Sequence, residues 1–284
     1  MLVRVCAATV GWGDCKLRSG ALQDFYDIRL PKIPGRYGSG IIAALGAGVT
    51  TWRVGQEVVF ATLHTESGSA AEYVSLNSDR LAPKPKNMNH AQTASLLQGA
   101  VSAYACLIQT AEVGCADKVL IHGGAGSVGS ACVELAHHLG CSITSTCRAI
   151  DREYVRSLGA QHVICFDEAD FSTAVTNQDA VIDLVGGEVH RSSFTVLRAG
   201  GRLVYLNADP LPPEAPPNTI RIVNARIGND GMLLSKVCEL AERQVFSASI
   251  GAVLALADGA QAHKLLESRA IRRGRIVLSI GGQV

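Results

Sequence analysis

Several features that mark other protein classes are missing from this sequence of 284 residues. Lys and Arg number 26 and Asp and Glu number 25, a balance that argues against a nucleic-acid surface or a disordered acidic tail. No stretch reaches the roughly 18 consecutive apolar residues of a membrane-spanning helix, and the N-terminus lacks the charged and then apolar layout of a signal peptide. We therefore expect a cytoplasmic protein that acts neither on nucleic acid nor in a membrane.

The nine cysteines show no metal-binding or redox arrangement. None forms a C-x-x-C pair, and no cluster has zinc-finger spacing. Their odd number, without a signal peptide, indicates free thiols in a reducing compartment.

Proline is sparse outside one segment. Residues 209–218 (DPLPPEAPPN) hold five of the nine prolines, which predicts an extended loop. Apolar residues make up 48% of the chain, and its length allows two domains. We expect a first domain built from 1–98 and 246–284, mostly of strands, and a second domain at 99–245.

The middle of the chain alternates between strand-like runs and helical patterns. The strand-like runs lie at 118–121, 142–146, 162–166, 180–187, 201–207 and 220–228. This alternation predicts an α/β domain with a doubly wound, mostly parallel sheet.

Residues 117–148 carry the most informative motif. The apolar run Lys118 to Ile121 leads into glycines at 124, 126 and 129, and an apolar-periodic helix follows up to Leu139. Strand, G-x-G-x-x-G, helix and strand is the arrangement that binds the pyrophosphate of a dinucleotide at the helix N-terminus. The glycines would permit a tight turn at 124, a close backbone approach to pyrophosphate at 126, and close packing of the helix at 129. The predicted contacts are Gly124, Ala125, Gly126, Ser127, Val128 and Gly129; the alternative is a glycine-rich turn without a ligand.

The end of the second strand indicates which dinucleotide is bound. Sites that prefer NAD place a carboxylate there for the ribose hydroxyl, whereas this chain has Thr146, Cys147 and Arg148. A guanidinium with neighbouring hydroxyls suits a 2′-phosphate, so we predict NADP(H). Asp151 is interpreted as the N-cap of the next helix, and Cys147 is predicted to be open to alkylation beside the phosphate. The alternative for Arg148 is an ordinary surface arginine.

The sequence resembles a known family in segments spread over the whole chain. These segments are GSGIIAALGAGVTTWRVGQEVV, IHGGAGSVGSACVELA, VRSLGAQHVI, DLVGGE and AHKLLESRAIRRGRIVL. They resemble the zinc-independent branch of the medium-chain dehydrogenases and reductases, in particular the quinone oxidoreductase-like (zeta-crystallin-like) enzymes. The resemblance implies a GroES-like substrate domain split around a Rossmann domain, with the active site between them. It also implies NADPH-dependent reduction of quinones or α,β-unsaturated carbonyls by a homodimer.

Residues that bind metal in the zinc-dependent relatives are replaced here. The turn that holds a His-Glu pair in those relatives is Gly35-Arg36-Tyr37-Gly38-Ser39-Gly40, and Gly11 stands at the position of their cysteine ligand. Residues 61–75 contain no cysteine, so the four-cysteine structural lobe is missing as well. We therefore predict no metal site.

The chain also departs from the quinone reductase pattern. Strands that precede LVRVCAAT in the family have no counterpart, which fits either a trimmed chain or a small and open substrate domain. Residues 11–16 (GWGDCK) replace a loop in which an asparagine faces the nicotinamide. Phe166 replaces the tyrosine that the family places beside the 2′-phosphate.

Candidate catalytic residues follow from the resemblance and from the need for a donor that neutralises negative charge developing on the acceptor oxygen. They are Lys16, Tyr37 and Ser102, and the alternatives are a surface lysine, a packed tyrosine and a serine in helix packing. Asn207, at the carboxyl edge of the sheet, and Arg275 are predicted to contact the cofactor; for Arg275 a plain surface role is equally open.

No histidine is predicted to act as an acid, because none has a carboxylate partner visible in the sequence. Two function classes remain: an NADPH-dependent reductase, and an NADPH-binding protein with little or no catalysis that is structural or regulatory. A metal-free alcohol dehydrogenase is disfavoured, because no residue in the pattern strongly polarises an alcohol oxygen.

Overall fold

The computed structural model describes residues 1–206 and 219–282. Asn207 and the proline-rich segment 209–218 lie outside the described residues. The chain divides into two compact units, one formed by residues 1–98 and 228–284 and the other by 99–227. The second boundary thus falls between Ile227 and Gly228 rather than after residue 245, because the helix Gly231–Glu242 packs on strands of the first unit.

The first unit is built on a mixed sheet of seven strands. Its strands are β1 (Leu2–Val10), β2 (Tyr37–Ala44), β3 (Glu57–Ala61), β4 (Tyr73–Ser75), β5 (Leu81–Pro83), β12 (Ile250–Ala255) and β13 (Arg275–Ser279). Its helices are α1 (Trp12–Arg18), the start of α2 (His90–Tyr104), α7 (Gly231–Glu242) and α8 (Gly259–Glu267). The strand order is β12-β13-β1-β2-β3-β5, and β4 pairs with β1.

Apolar side chains on alternate positions of β1 form the core of this unit. Val3 and Val5 are buried with Ile42 and Phe60 from neighbouring strands, and Ala262 of α8 covers the same cluster. Period-two alternation is the pattern of a strand that buries one face. A side chain at Gly40 would clash, because a Cβ there would lie 2.2 Å from the carbonyl oxygen of Arg4 on the paired strand.

The second unit is built on a parallel sheet of six strands with the order β11-β10-β9-β6-β7-β8. Its strands are β6 (Lys118–His122), β7 (Ser142–Cys147), β8 (His162–Cys165), β9 (Gln178–Asp183), β10 (Leu197–Tyr205) and β11 (Arg221–Asn224). Its helices are α3 (Ser127–His138), α4 (Arg152–Ser157), α5 (Phe171–Ala174) and α6 (Glu188–Ser192), and α2 continues into it as the π-helical turn Ala105–Thr110.

The central strands of this sheet, β6 and β9, are apolar in their middle residues, as is typical of a parallel sheet that is covered on both faces. Leu120, Val181 and Leu203 are fully buried. The predicted α/β class with a parallel, doubly wound sheet and a second, mostly β unit is therefore confirmed. None of the helices in the described part of the chain is both long and apolar enough to cross a bilayer.

Candidate functional site

The glycine-rich turn joins β6 to α3, as the motif predicts. The residue with a left-handed backbone is Gly123, with φ of 76°, and its amide donates to the carbonyl oxygen of Thr146 at 3.1 Å. The tight turn was predicted at Gly124, which does not have a positive φ. Gly124 nevertheless lies within the turn, and the positive φ occurs one residue earlier, directly after the last residue of β6.

Two of the motif glycines are required by close packing. A Cβ on Gly124 would lie 2.1 Å from Oγ of Ser145, and a Cβ on Gly129 would lie 2.1 Å from the carbonyl oxygen of Gly123. Contacts this short displace the backbone or the neighbouring strand. The close contacts at Gly129 are thus made with the backbone of the turn, and its predicted role in packing the helix against the sheet stays a prediction.

Gly126 is different, since a Cβ there would meet a single atom, the carbonyl oxygen of Gly123 at 3.3 Å. Gly126 is exposed and is the N-cap of α3, and it has no side chain to accept from the N–H groups of the first turn. Those N–H groups, on Ser127, Val128 and Gly129, have no intrahelical acceptor. The exposed surface beside Gly126 and the helix dipole fit an anion such as a pyrophosphate.

A directed chain of hydrogen bonds underlies the turn. The amide of Gly123 donates to Oγ1 of Thr146 at 3.2 Å, and Thr146 Oγ1 lies 3.1 Å from Nδ1 of His122. Nε2 of His122 lies 3.0 Å from Oγ of Ser193, which donates to the carbonyl oxygen of Val189 at 2.6 Å. The direction fixes the tautomer: Thr146 donates to Nδ1, and the ring proton is on Nε2.

His122 is fully enclosed, and burial lowers its pKa to about 4, with the carboxylate of Asp183 opposing the shift. The folded protein therefore binds this proton less readily than the unfolded chain, whose histidine has a pKa of 6.5. Stability due to His122 is complete above pH 6.5 and is lost as the pH falls towards 4.

Between pH 6.5 and pH 4, protonation of His122 is expected to lower the free energy of unfolding by up to about 3 kcal/mol. We expect the variant His122→Gln to lack this decrease, because glutamine does not titrate. Urea denaturation at several pH values measures this difference. His138→Gln is the control, since His138 is exposed on the last turn of α3. An unchanged pH dependence in the His122 variant would contradict the assignment.

The end of β7 carries the residues predicted to bind the 2′-phosphate. Arg148 is exposed and has no ion-pair partner among the described residues. Phe166 is also exposed, at 58%, and Asp167 accepts a hydrogen bond from the amide of Ala149 at 2.9 Å. Asp151 directly precedes α4, as predicted, but its side chain does not cap that helix. Arg148 is therefore placed to meet an anion from solvent.

Cys147 does not match its predicted reactivity. Its thiol is buried, and burial together with the neighbouring Cys165 raises its pKa to about 12. Because the thiolate is the species that reacts, alkylation of Cys147 in the folded protein is disfavoured. The prediction failed because the sequence shows the residue at the strand end but not the side of the sheet to which it points.

A buried, hydrogen-bonded pair of Asp183 and His190 lies at the end of β9. Oδ2 of Asp183 is 2.7 Å from Nδ1 of His190, and both residues are almost fully buried. Oδ1 of Asp183 accepts the amides of Val185 and Gly186, each at 2.9 Å. The pair therefore fixes the segment after β9, whose Val185 side chain lies near Gly123. The pair of Asp183 and His190 was not predicted from the sequence. An aspartate at the end of a strand, followed by a histidine on the next helix, is nevertheless a pattern that could have indicated it.

In the first unit, Lys16 lies exposed on α1. The Tyr37 hydroxyl is enclosed, and burial raises the pKa of the phenol. Arg275 is buried as well, and burial lowers its pKa to about 10. The surface alternative for Arg275 is therefore wrong.

Asp14, which the sequence places near Lys16, is structural. Its Oδ2 accepts the amide of Gly11 at 2.8 Å and closes the first turn of α1, and its Oδ1 accepts the amide of Gly35 at 2.8 Å. The side chain thus ties the start of α1 to the turn before β2.

A polar cluster in the first unit was not predicted. Nε and Nη2 of Arg36 donate to Oδ1 of Asn229 at 3.1 and 2.5 Å, and Nη1 lies 3.4 Å from Nε2 of His64. The His64 ring contacts Tyr26, with the ring centroids 4.9 Å apart. Burial and the positive charge of Arg36 lower the pKa of His64 to about 4, so this ring is neutral near pH 7.

Ser102 belongs to the second unit, where it is buried on α2. The roles of Lys16, Tyr37 and Ser102 stay predictions. Within the described residues, no group of three or more His, Cys, Asp or Glu side chains could hold a metal ion.

The sequence matches two known protein families. Residues 1–86 match the family described as "Alcohol dehydrogenase GroES-like domain", and residues 158–278 match the family described as "Zinc-binding dehydrogenase".

Two plant proteins are similar to the chain. An NADPH-dependent alkenal/one oxidoreductase, chloroplastic, of Arabidopsis thaliana is 32% identical over 222 residues, which are 75% of this chain and 56% of that protein. A 2-methylene-furan-3-one reductase of Solanum lycopersicum is 32% identical over 223 residues, with the same coverage of 75% and 56%. The chain thus spans little more than half the length of these relatives.

Among solved structures, the quinone oxidoreductase from Coxiella burnetii is similar in fold and sequence. It superposes with a TM-score of 0.85 at 29% identity, over 99% of this chain and 90% of that structure.

Proposed function

Because the chain belongs to the zinc-independent, quinone oxidoreductase-like branch of the medium-chain dehydrogenases and reductases, we propose that it is an NADPH-dependent oxidoreductase. The proposed reaction transfers hydride to a quinone or an α,β-unsaturated carbonyl compound without a metal. The two plant relatives and the Coxiella burnetii structure carry names of this chemistry, which supports the proposal.

The observation that carries the proposal is the anion-binding geometry at Gly126. The pyrophosphate would meet the N–H groups of the first turn of α3, and Arg148 would contact the 2′-phosphate. The chemistry that the bound cofactor supplies is hydride transfer. The contribution of the chain is to bind and orient the nicotinamide and the acceptor, and orientation by itself accelerates such reactions.

We propose Lys16 as the donor that neutralises negative charge on the acceptor oxygen, because its ammonium is exposed on α1. Tyr37 and Ser102 are proposed to shape the catalytic site. Both side chains are buried and the Tyr37 hydroxyl is enclosed, so they are better placed to support the shape of the site than to donate a proton directly. Cofactor contacts by Thr146, Cys147, Asn207 and Arg275 also stay proposals. Because the side chain of Cys147 is buried, its proposed contact is made by the backbone.

Oxidation of NADPH in the presence of simple quinones and enals tests the proposed reaction. We expect turnover with at least one class of acceptor, and a kcat that falls about 10- to 100-fold in Lys16→Met with a smaller change in KM. Tight NADPH binding without turnover would instead favour a cofactor-binding protein with a structural or regulatory role.

We expect Arg148→Ala to weaken NADPH binding about 10- to 100-fold and to change NADH binding less than about twofold, because the lost charge-assisted hydrogen bonds are made to the 2′-phosphate alone. Fluorescence titration measures both dissociation constants. Arg156→Ala, which removes an exposed arginine of α4 paired with Glu153, is the matched control. Equal weakening for both nucleotides would place the phosphate elsewhere.

We also propose a homodimer in the cytoplasm. β11 is an edge strand in the described sheet, so its outer backbone groups can pair with β11 of a second copy. The nine free cysteines suit a reducing compartment. Sedimentation of the purified protein tests the assembly.

A further inference from the structure

A cavity of about 460 Å³ lies within the first unit. It is lined by the end of β1, by α1, by the segment 28–35 and by α8, and it is partly open to solvent. Its volume falls within the range of about 300–1,000 Å³ that is typical of small-molecule sites. Lys16 and Tyr37 are not among its lining residues.

The walls of the cavity are mainly apolar. The apolar lining side chains come from three sequence regions and are Val10, Leu17, Ile28, Leu30, Leu256 and Leu278. Burying an apolar chain against such walls removes its surface from water, which favours binding.

His263 on α8 supplies a directional hydrogen bond. The residue is 7% exposed and lines the cavity, and burial lowers its pKa, so the ring is neutral near pH 7. Its Nδ1 lies 3.7 Å from Sγ of Cys15, whose pKa is raised by burial, so that the thiol keeps its proton. A thiol that donates to Nδ1 leaves the ring proton on Nε2. In the described structure Nε2 has no protein partner, so it is a donor for an oxygen atom in the cavity.

Two cationic side chains line the same cavity. Arg18 forms an ion pair with Glu267 at 2.5 Å, so its charge is shared with a carboxylate. Lys32 donates instead to the backbone carbonyl of Glu66, whose carboxylate pairs with Arg80, and Lys32 forms no ion pair among the described residues. An anionic group in the cavity would therefore be attracted most by Lys32.

Asp14 also lines the cavity, and its negative charge could oppose an anion. Both of its oxygens are engaged by backbone amides, those of Gly11 and Gly35, each at 2.8 Å. The buried guanidinium of Arg275 interacts favourably with the same carboxylate. These contacts offset the charge of Asp14 at the cavity wall.

We propose that this cavity binds an amphipathic carboxylate, with its hydrocarbon chain against the apolar walls and its headgroup held by Nε2–H of His263 and the charge of Lys32. The hydrogen-bond donor selects an oxygen acceptor, the cation selects a negative charge, and the walls select an aliphatic body. The site does not depend on the proposed reductase activity.

Isothermal titration of the full chain with decanoate, decanol and decyltrimethylammonium tests the proposal. We expect decanoate to bind at least about tenfold more tightly than either of the other two, a difference of about 1.4 kcal/mol. Equal affinity for decanoate and decanol would overturn the carboxylate assignment, and tighter binding of the ammonium compound would overturn the charge argument.

Variants locate the site. Ala260 lies exposed on α8 and lines the cavity, so Ala260→Trp is expected to weaken decanoate at least about tenfold by filling the space. Gln261→Trp is the matched control, because Gln261 is exposed on the same helix and is not a lining residue. Lys32→Gln is expected to weaken decanoate about fivefold or more and to leave decanol unchanged.

Equal decanoate affinity in Ala260→Trp and in the wild type, or no decanoate binding to the wild type at millimolar concentration, would overturn the proposal. NADPH titration of the same variants is expected to match the wild type. Failure of carboxylate binding and failure of cofactor binding are thereby observed separately.

Discussion

The variant Gly126→Val is expected to fold and to lose NADPH binding by at least about 100-fold. The new side chain would start at an exposed N-cap position where a Cβ meets only the carbonyl oxygen of Gly123, at 3.3 Å. Its methyl groups would stand over the first-turn N–H groups and keep a pyrophosphate from reaching them. Two lost charge-assisted hydrogen bonds of about 1.5–3 kcal/mol each correspond to this loss of affinity.

The fold should tolerate this change because the backbone of Gly126 has an ordinary extended conformation, with φ of −74° and ψ of 163°. The cost in stability is expected to be about 1 kcal/mol, as for a poorer N-cap residue. Gly46→Val is the control, since a Cβ at Gly46 would meet nothing within 4 Å. NADPH binding of wild-type strength in the Gly126 variant would contradict the proposed pyrophosphate position.

The variant Asp183→Ala is expected to lower the free energy of unfolding by about 3–5 kcal/mol. The change would leave Nδ1 of His190 and the amides of Val185 and Gly186 without their buried acceptor. Buried polar groups that lose their partner cost about 1–3 kcal/mol each, so the loss of this acceptor by three donors accounts for the figure. Urea denaturation, followed by a signal from the second unit, measures the loss.

Glu153→Ala is the comparison for Asp183→Ala, because Glu153 forms an exposed ion pair with Arg156 on α4. We expect that change to alter stability by less than about 1 kcal/mol. If Asp183→Ala were equally mild, the carboxylate would not be the group that fixes the segment after β9.

Much of the fold could be predicted because its signals are local. The switch from an apolar run to helical periodicity predicts β6 and α3. The glycine motif could be located for the same reason, since each of its residues acts within a few positions of the next. Even so, the sequence does not show which of the two adjacent glycines, Gly123 or Gly124, takes the positive φ. In the structure it is Gly123.

The rest of the site depends on contacts between distant segments. Asn229 accepts hydrogen bonds from the guanidinium of Arg36, although the two residues are almost two hundred positions apart in the sequence. No local sequence pattern predicts that pair. Arg275 is the first residue of β13, and only the packing of the first unit shows that its side chain is buried. The predicted reactivity of Cys147 was wrong for a similar reason, because a position at the end of a strand does not show on which face of the sheet the side chain lies.

The most direct test of the proposed cofactor site is a fluorescence titration of the wild-type chain with NADPH and, in parallel, with NADH at the same ionic strength. The first turn of α3 and the exposed Arg148 predict that NADPH binds at least about tenfold more tightly than NADH. Equal binding of the two nucleotides, or binding of neither, would contradict the assignment of NADP(H) to this site.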